Sequence, residues 1–134
     1  MPTEFVNDIE HNPELQASVI ALQNDLFRQA LANPGIAGFC LSKGITGNVV
    51  FSHNMAARSP EFQTCTLQAV AEFNDFNADN DPHADHTFGV VTVGKRRLFF
   101  KIDLYDLELD KGSERPFDPA CTERVLTIMD PEEY

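Results

Sequence analysis

The chain has 134 residues, 43% of them apolar, which suits one domain with one core, and its 10 basic against 21 acidic residues give a net charge of −11. That balance excludes a generic binder of phosphate backbones. No apolar stretch approaches the roughly 20 residues that span a bilayer, and no basic segment leads into an apolar run at the N-terminus, so a cytoplasmic protein with no membrane partner is expected.

In chain order, residues 1–11 read as a flexible arm ahead of the first helix. Three segments then announce helices by one device, a short polar residue before a proline: Asn12-Pro13-Glu14, Ser59-Pro60-Glu61 and Asp118-Pro119. Each offers a capping side chain and a ring whose fixed φ suits the first helical position. After the first, Leu15, Val19, Leu22 and Leu26 predict one apolar face, ending at Asn33-Pro34-Gly35. After the second, Phe62, Cys65, Ala69, Phe73 and Phe76 form a similar stripe. Cys121, Val125, Ile128 and Met129 do so over a shorter span after the third.

Between helices the period changes to two. Phe88 to Val93 and Arg97 to Tyr105, joined at Gly94-Lys95, predict a β-hairpin. Alternation sets Leu98, Phe100, Ile102 and Leu104 on one face and Phe99, Lys101, Asp103 and Tyr105 on the other. Residues 36–41 and 47–52 read as further strands around a Gly44 to Gly47 turn, the first of them ambiguous. The expected fold is α+β: an antiparallel sheet with a hairpin in its C-terminal half, packed on one face by about three helices. Cys40, Cys65 and Cys121 sit among apolar neighbours at wide spacing and are read as reduced and mostly buried.

Charge is unevenly spread. Residues 72–86 carry five acids and no Lys or Arg, residues 103–134 carry ten acids against three bases, and residues 87–102 hold Lys95, Arg96, Arg97 and Lys101 with no acid. A polarised surface is therefore expected. The basic hairpin tip reads first as protection of strand ends against aggregation rather than as a nucleic-acid contact.

Phe73-Asn74-Asp75-Phe76-Asn77-Ala78-Asp79-Asn80-Asp81-Pro82-His83, then Phe99-Phe100-Lys101-Ile102-Asp103-Leu104-Tyr105-Asp106, then Arg124 to Met129 and Glu132-Glu133-Tyr134 occur in that order. This succession, from about Leu22 onward, resembles the bacterial family catalogued as domain of unknown function 3768. In that family pattern Gly-Glu-His-Asp-Phe-Gly follows the Asn-Asp-Pro-x stretch, where this chain reads Ala84-Asp85-His86-Thr87-Phe88-Gly89. Trp usually precedes the strand lysine, where this chain has Phe100 before Lys101. The stretch from about Leu31 to Thr46 is longer than the usual connection. The resemblance implies no reaction. It implies a setting on plasmids, phages and other mobile elements, often among genes that oppose host defence.

Two functions follow as expectations. The first is a non-catalytic accessory protein whose acidic surface of Asp75, Asp79, Asp81, Asp85, Asp106, Glu108 and Asp110, with the tail Asp130 to Glu133, meets a basic surface of a host protein or nucleoprotein complex. On this reading carboxylates stand in for phosphates, as in an anti-restriction or anti-CRISPR inhibitor, and neither a cofactor nor direct nucleic-acid contact is needed. The alternative is a divalent-metal or small-ligand site, extending to a hydrolase, with Asp79, Asp81, His83, His86 and Asp103 as ligands and Asp106 beside them. Carboxylates and imidazoles in a segment made irregular by Asn-Asp-Pro have the right chemical types. Their spacing matches neither an EF-hand nor a His-Glu-x-x-His helix. Asp and Asn in such a loop also cap turns through their own backbone. No Ser, His and Asp arrangement for nucleophilic catalysis and no Gly-rich phosphate loop is present.

Overall fold

A computed structural model describes residues 8–134 of the chain. The prolines start helices as the capping argument requires. Helix α1 spans Pro13–Gln29, with the Asn12 carboxamide accepting from the Leu15 amide at 3.0 Å. The segment that ends it also begins the next helix, because the Asn33 side chain accepts from the amides of Gly35 and Ile36. Helix α2 therefore covers Pro34–Ser42, and the strand expected at 36–41 is not formed. Asn-Pro-Gly reads equally as a stop and as a cap followed by its proline. Strand β1 (Gly47–Phe51), the short helix α3 (His53–Ala56) and helix α4 (Pro60–Glu72, capped by Ser59) follow. The hairpin is β2 (Phe88–Val93) and β3 (Arg96–Tyr105), turning at Gly94 with φ of +63°.

The third expected helix is a correction. Asp118 does cap, accepting from the Ala120 amide, but the helix is a single 3-10 turn over Pro119–Cys121. The chain then runs extended as β4, Glu123–Met129. Its β-branched Val125, Thr127 and Ile128 suit a strand, and its nearly unbroken apolar run is that of a central strand, which periodicity alone does not separate from a buried helix.

The sheet order is β1-β4-β3-β2. It is mostly antiparallel, as expected, with one exception: β1 pairs with β4 in parallel, Gly47 opposite Arg124 and Phe51 opposite Ile128. Alternation divides the faces as predicted. Leu98, Phe100, Ile102, Leu126 and Ile128 are buried with Phe27, Cys40, Met55 and Val70 from the four helices. Phe99, Lys101, Asp103 and Thr127 lie on the opposite, half-exposed face. Among the described residues no helix is long and apolar enough to cross a membrane.

Helix faces depart from the expected stripes. On α1 the inward residues are Ile20, Gln23, Asn24, Phe27 and Arg28, while Leu22 is 61% exposed. Polar side chains occupy this face because each finds a partner there. Gln23 donates to the Phe117 carbonyl, and Asn24 donates to that of Asp85. Arg28 donates to the carbonyls of Val70 and Phe73. On α4 the buried positions are Thr66, Val70 and Ala71, which turns Cys65 outward. Thr66 tolerates burial by donating its hydroxyl to the Phe62 carbonyl at 2.8 Å. Of the cysteines only Cys40 is buried; Cys121 is half-buried, and none forms a disulfide.

The expected flexible arm lies partly outside the described residues. Residues 8–11 are helical, and Glu10 is clamped by two hydrogen bonds from the Arg115 guanidinium, so this part is anchored.

Candidate functional site

The β2–β3 hairpin organises the surface charge. Strand β2 begins, and β3 finishes, at the same end, because the two are antiparallel with Phe88 opposite Lys101 and Val93 opposite Arg96. The segment 73–87 therefore leads into β2 about 20 Å from the tip at roughly 3.3 Å per residue, and the loop 106–111 follows β3 roughly 13 Å further in the same direction. These two acidic segments lie away from the tip where Lys95, Arg96 and Arg97 stand, but the acidic tail returns to it: β4 ends with Met129 opposite Phe99, and Asp130 and Glu132 line a pocket with the three cations. Among the described residues these three cations have no carboxylate within ion-pair distance.

At the acidic end the asparagines build the loop and leave carboxylates free. Asn77 accepts from the amides of Asp79 and Asn80, and Asn80 accepts from the Asn77 amide and donates to the Asp75 carbonyl. Asp75 and Asp79 stay exposed. Asp85 is half-buried and accepts from the Thr87 hydroxyl. Asp106 closes its loop by accepting from the Asp110 amide at 2.9 Å. Glu108 and Asp110 point to solvent, interleaved with Leu107 and Leu109, which are 55% and 47% exposed.

Asp81 belongs elsewhere. It is buried, accepts from the His86 amide at 3.2 Å, and its other oxygen lies 3.6 Å from His86 Nε2. The opposite ring nitrogen, Nδ1, is 2.8 Å from Asp25, which also receives the Arg28 guanidinium at 2.5 Å. The imidazole stacks flat on Phe76 with ring centres 3.8 Å apart. His86 is thus an internal strut between loop and α1. Burial pulls the Arg28 guanidinium below its ordinary value, with Asp25 opposing.

For the metal alternative, the structure brings Asp81 to His86 and leaves Asp79 and His83 exposed. Asp103 sits on the open sheet face with its carboxylate 3.2 Å from Lys101 Nζ. Among the described residues no three His, Cys, Asp or Glu side chains are grouped as metal ligands. The tail acids are used internally as well. Asp130 is buried and receives two hydrogen bonds from Arg58, and Glu133 accepts from Ser52 Oγ and from the amides of Asn54 and Asp130. The hydrogen bonds from Arg58 hold Asp130 below the usual carboxylate range.

Sequence reasoning missed Asn24, Asp25 and Arg28, which tie α1 to the loop. The available signal was their i, i+3 and i+4 spacing on the face of Ile20 and Phe27. A second feature is a pocket of about 540 Å³ on the open sheet face, lined by Phe88, Lys101, Asp103, Thr127, Glu133 and Tyr134 among others. Its cation and carboxylates are already matched to each other or to hydroxyls.

The family described as Protein of unknown function (DUF3768) matches the chain over residues 51–133. The match starts later than the resemblance at Leu22 suggested and leaves α1 and α2 outside it. No curated protein and no solved structure matches.

Proposed function

We propose that this chain, which belongs to the DUF3768 family of proteins of unknown function, is a non-catalytic accessory protein that docks its acidic end onto a basic surface of a host protein or nucleoprotein complex. One observation carries the reading: the segment 73–87 and the loop 106–111, both on the side away from the hairpin tip, expose Asp75, Asp79, Glu108 and Asp110, and the second loop exposes Leu107 and Leu109 among its acids. Carboxylates alone would be a solvated face. Leucines set between them add an apolar centre to a charged rim, the composition of a protein-binding patch. Carboxylates so displayed can replace phosphates in a basic channel, and in a mobile-element setting such a protein would act as a counter-defence inhibitor of a nucleic-acid-handling enzyme.

The test uses the full chain as bait against bacterial extract, at about 50 mM and about 500 mM salt, conditions between which the Debye length falls several-fold. A parallel bait carries Asp75→Asn, Asp79→Asn, Glu108→Gln and Asp110→Asn. A specific partner should be held at low salt, released at high salt and absent from the variant, and the purified partner should lose nucleic-acid binding when the protein is added. A partner held equally at both salts, or equally by the variant, sinks the proposal.

A further inference from the structure

The opposite edge of the sheet has the reverse character. Strand β1 is terminal in the order β1-β4-β3-β2, and among the described residues nothing pairs with its outer side. Thr46 accepts from the Arg124 amide and the Ser52 amide donates to Ile128, which fixes the phase of the parallel ladder. Alternate residues Asn48 and Val50 face β4, and the amides and carbonyls of Gly47, Val49 and Phe51 point outward. The strand carries no charge, no proline and no bulge, the usual protections of an edge. Apolar side chains flank it: Val49 is 39%, Val50 43% and, from α2, Leu41 73% exposed. Leu31, Ala37, Leu41 and Val49 line an apolar groove of about 350 Å³ beside it.

Charge selects the occupant. Residues 29–57 hold a single charged side chain, Lys43, within a molecule of net −11. The carboxylate of Glu123 on the adjoining strand is engaged by the Thr46 hydroxyl. Two copies repel wherever their acids approach, and this edge is a place where they do not. The outward residues also form a self-complementary set. A two-fold axis through Val49 would place Gly47 opposite Phe51 of a second copy and Val49 opposite its own counterpart, so that every outward amide meets a carbonyl. Gly47, lacking a side chain, would leave room for the facing Phe51.

We infer that β1 pairs antiparallel with β1 of a second copy, joining two four-stranded sheets into one, with α2 and its groove closing over the seam. The stretch from Leu31 to Thr46, which lies outside the family match, then has a role as the apolar flank of an isologous interface. This is independent of the acidic end and responds oppositely to salt, since screening the net charge strengthens a dimer joined through a neutral edge.

Sedimentation equilibrium of the full chain from about 5 to about 500 µM, spanning ordinary weak-dimer affinities, tests it at low and high salt. The wild type should pass from monomer to dimer, with the dimer favoured by salt. Val49→Pro, which removes an outward amide and fixes φ, and Val49→Lys, which keeps the backbone and adds a charge, should each shift the midpoint at least tenfold upward. The circular dichroism of Val49→Lys should stay that of the wild type. A monomer across the range, or a dimer that both variants leave unchanged, overturns the inference.

Discussion

Arg124 on the central strand donates Nε to the Asn24 side chain of α1 at 2.8 Å and its terminal nitrogen to Gln23 at 2.7 Å, while fully buried and, among the described residues, with no carboxylate in ion-pair distance. Burial pushes its guanidinium down to about 10. A buried cation solvated by two carboxamides depends on both of them. Asn24 in turn donates to the Asp85 carbonyl, so one side chain ties helix, sheet and loop together. Asn24→Leu should cost about 3 kcal/mol, because it strands a charged donor and a carbonyl together. Arg124→Met should be milder than Arg124→Ala, since it fills the same space. A urea double-mutant cycle for Asn24→Leu and Arg124→Met should return a coupling of about 1 kcal/mol or more; strict additivity would mean that the contact contributes nothing.

This buried polar layer explains what the sequence could and could not reveal. Caps at Asn12 and Ser59, the Gly94 turn and the two faces of β3 are local matters, decided by residues within a few positions of one another, and all were legible. The inward faces of α1 and α4 were not. Leu22 looks like core and Arg28 like surface until the carbonyls of Val70 and Phe73, more than 40 residues away, are seen to receive the guanidinium. The C-terminal strand was misread for the same reason, because Arg124 to Met129 is extended only by virtue of neighbours on both sides. The acidic residues of the candidate surface were visible as a list. Their division into exposed Asp75 and Asp79 and an inward Asp81 depends on where His86 and Asp25 stand.

Gly89 offers a sharper packing test. A Cβ placed there would lie 2.3 Å from Phe100 Cε2 and 2.8 Å from Phe73 Cε1, inside the edge-to-face pair those rings make at 5.3 Å. Neither ring can retreat without disturbing the core that Phe100 shares with Leu98 and Leu126. Gly89→Ala should destabilise by about 2 kcal/mol or more through overpacking. Phe73→Leu in the same chain should recover part of the loss, and thermal melts of the two variants give the comparison.

Ala84 sits at φ of +56°, in the left-handed region, at the place where the family pattern has glycine. The strain is local, because Ala84 is exposed and its amide still bonds the Asp81 carbonyl at 3.0 Å. Ala84→Gly should raise stability by about 1 kcal/mol, the left-handed penalty less the extra freedom of glycine in the unfolded chain, seen as a melting temperature about 4 °C higher. His86 also lies at positive φ, 58°. There His86→Gly should destabilise instead, because it removes the Phe76 stack and the contact with Asp25.

Stability below pH 5 should be governed by pairs that hold carboxylates ionised. Asp130 receives two hydrogen bonds from Arg58 and one from Asn54, and Arg58 lowers it from an ordinary 3.8. A carboxylate lowered in the folded state contributes stability that is fully present above its unfolded value and is lost as pH falls through the folded one. Glu10, lowered first by its hydrogen bond from Arg115, acts in the same direction at the other end of the chain. The urea midpoint should therefore hold steady from pH 7 to 5 as far as these groups are concerned and drop below about pH 4. Asp130→Asn should cost about 2 kcal/mol at pH 7, because it leaves the partly buried Arg58 without its counter-charge. Its gap from the wild type should narrow steadily below pH 4, as the wild-type carboxylate is itself neutralised. A gap that stays constant down to pH 2 would show that the Asn54 contact and the shape of the side chain, rather than the charge of Asp130, hold the tail against α3.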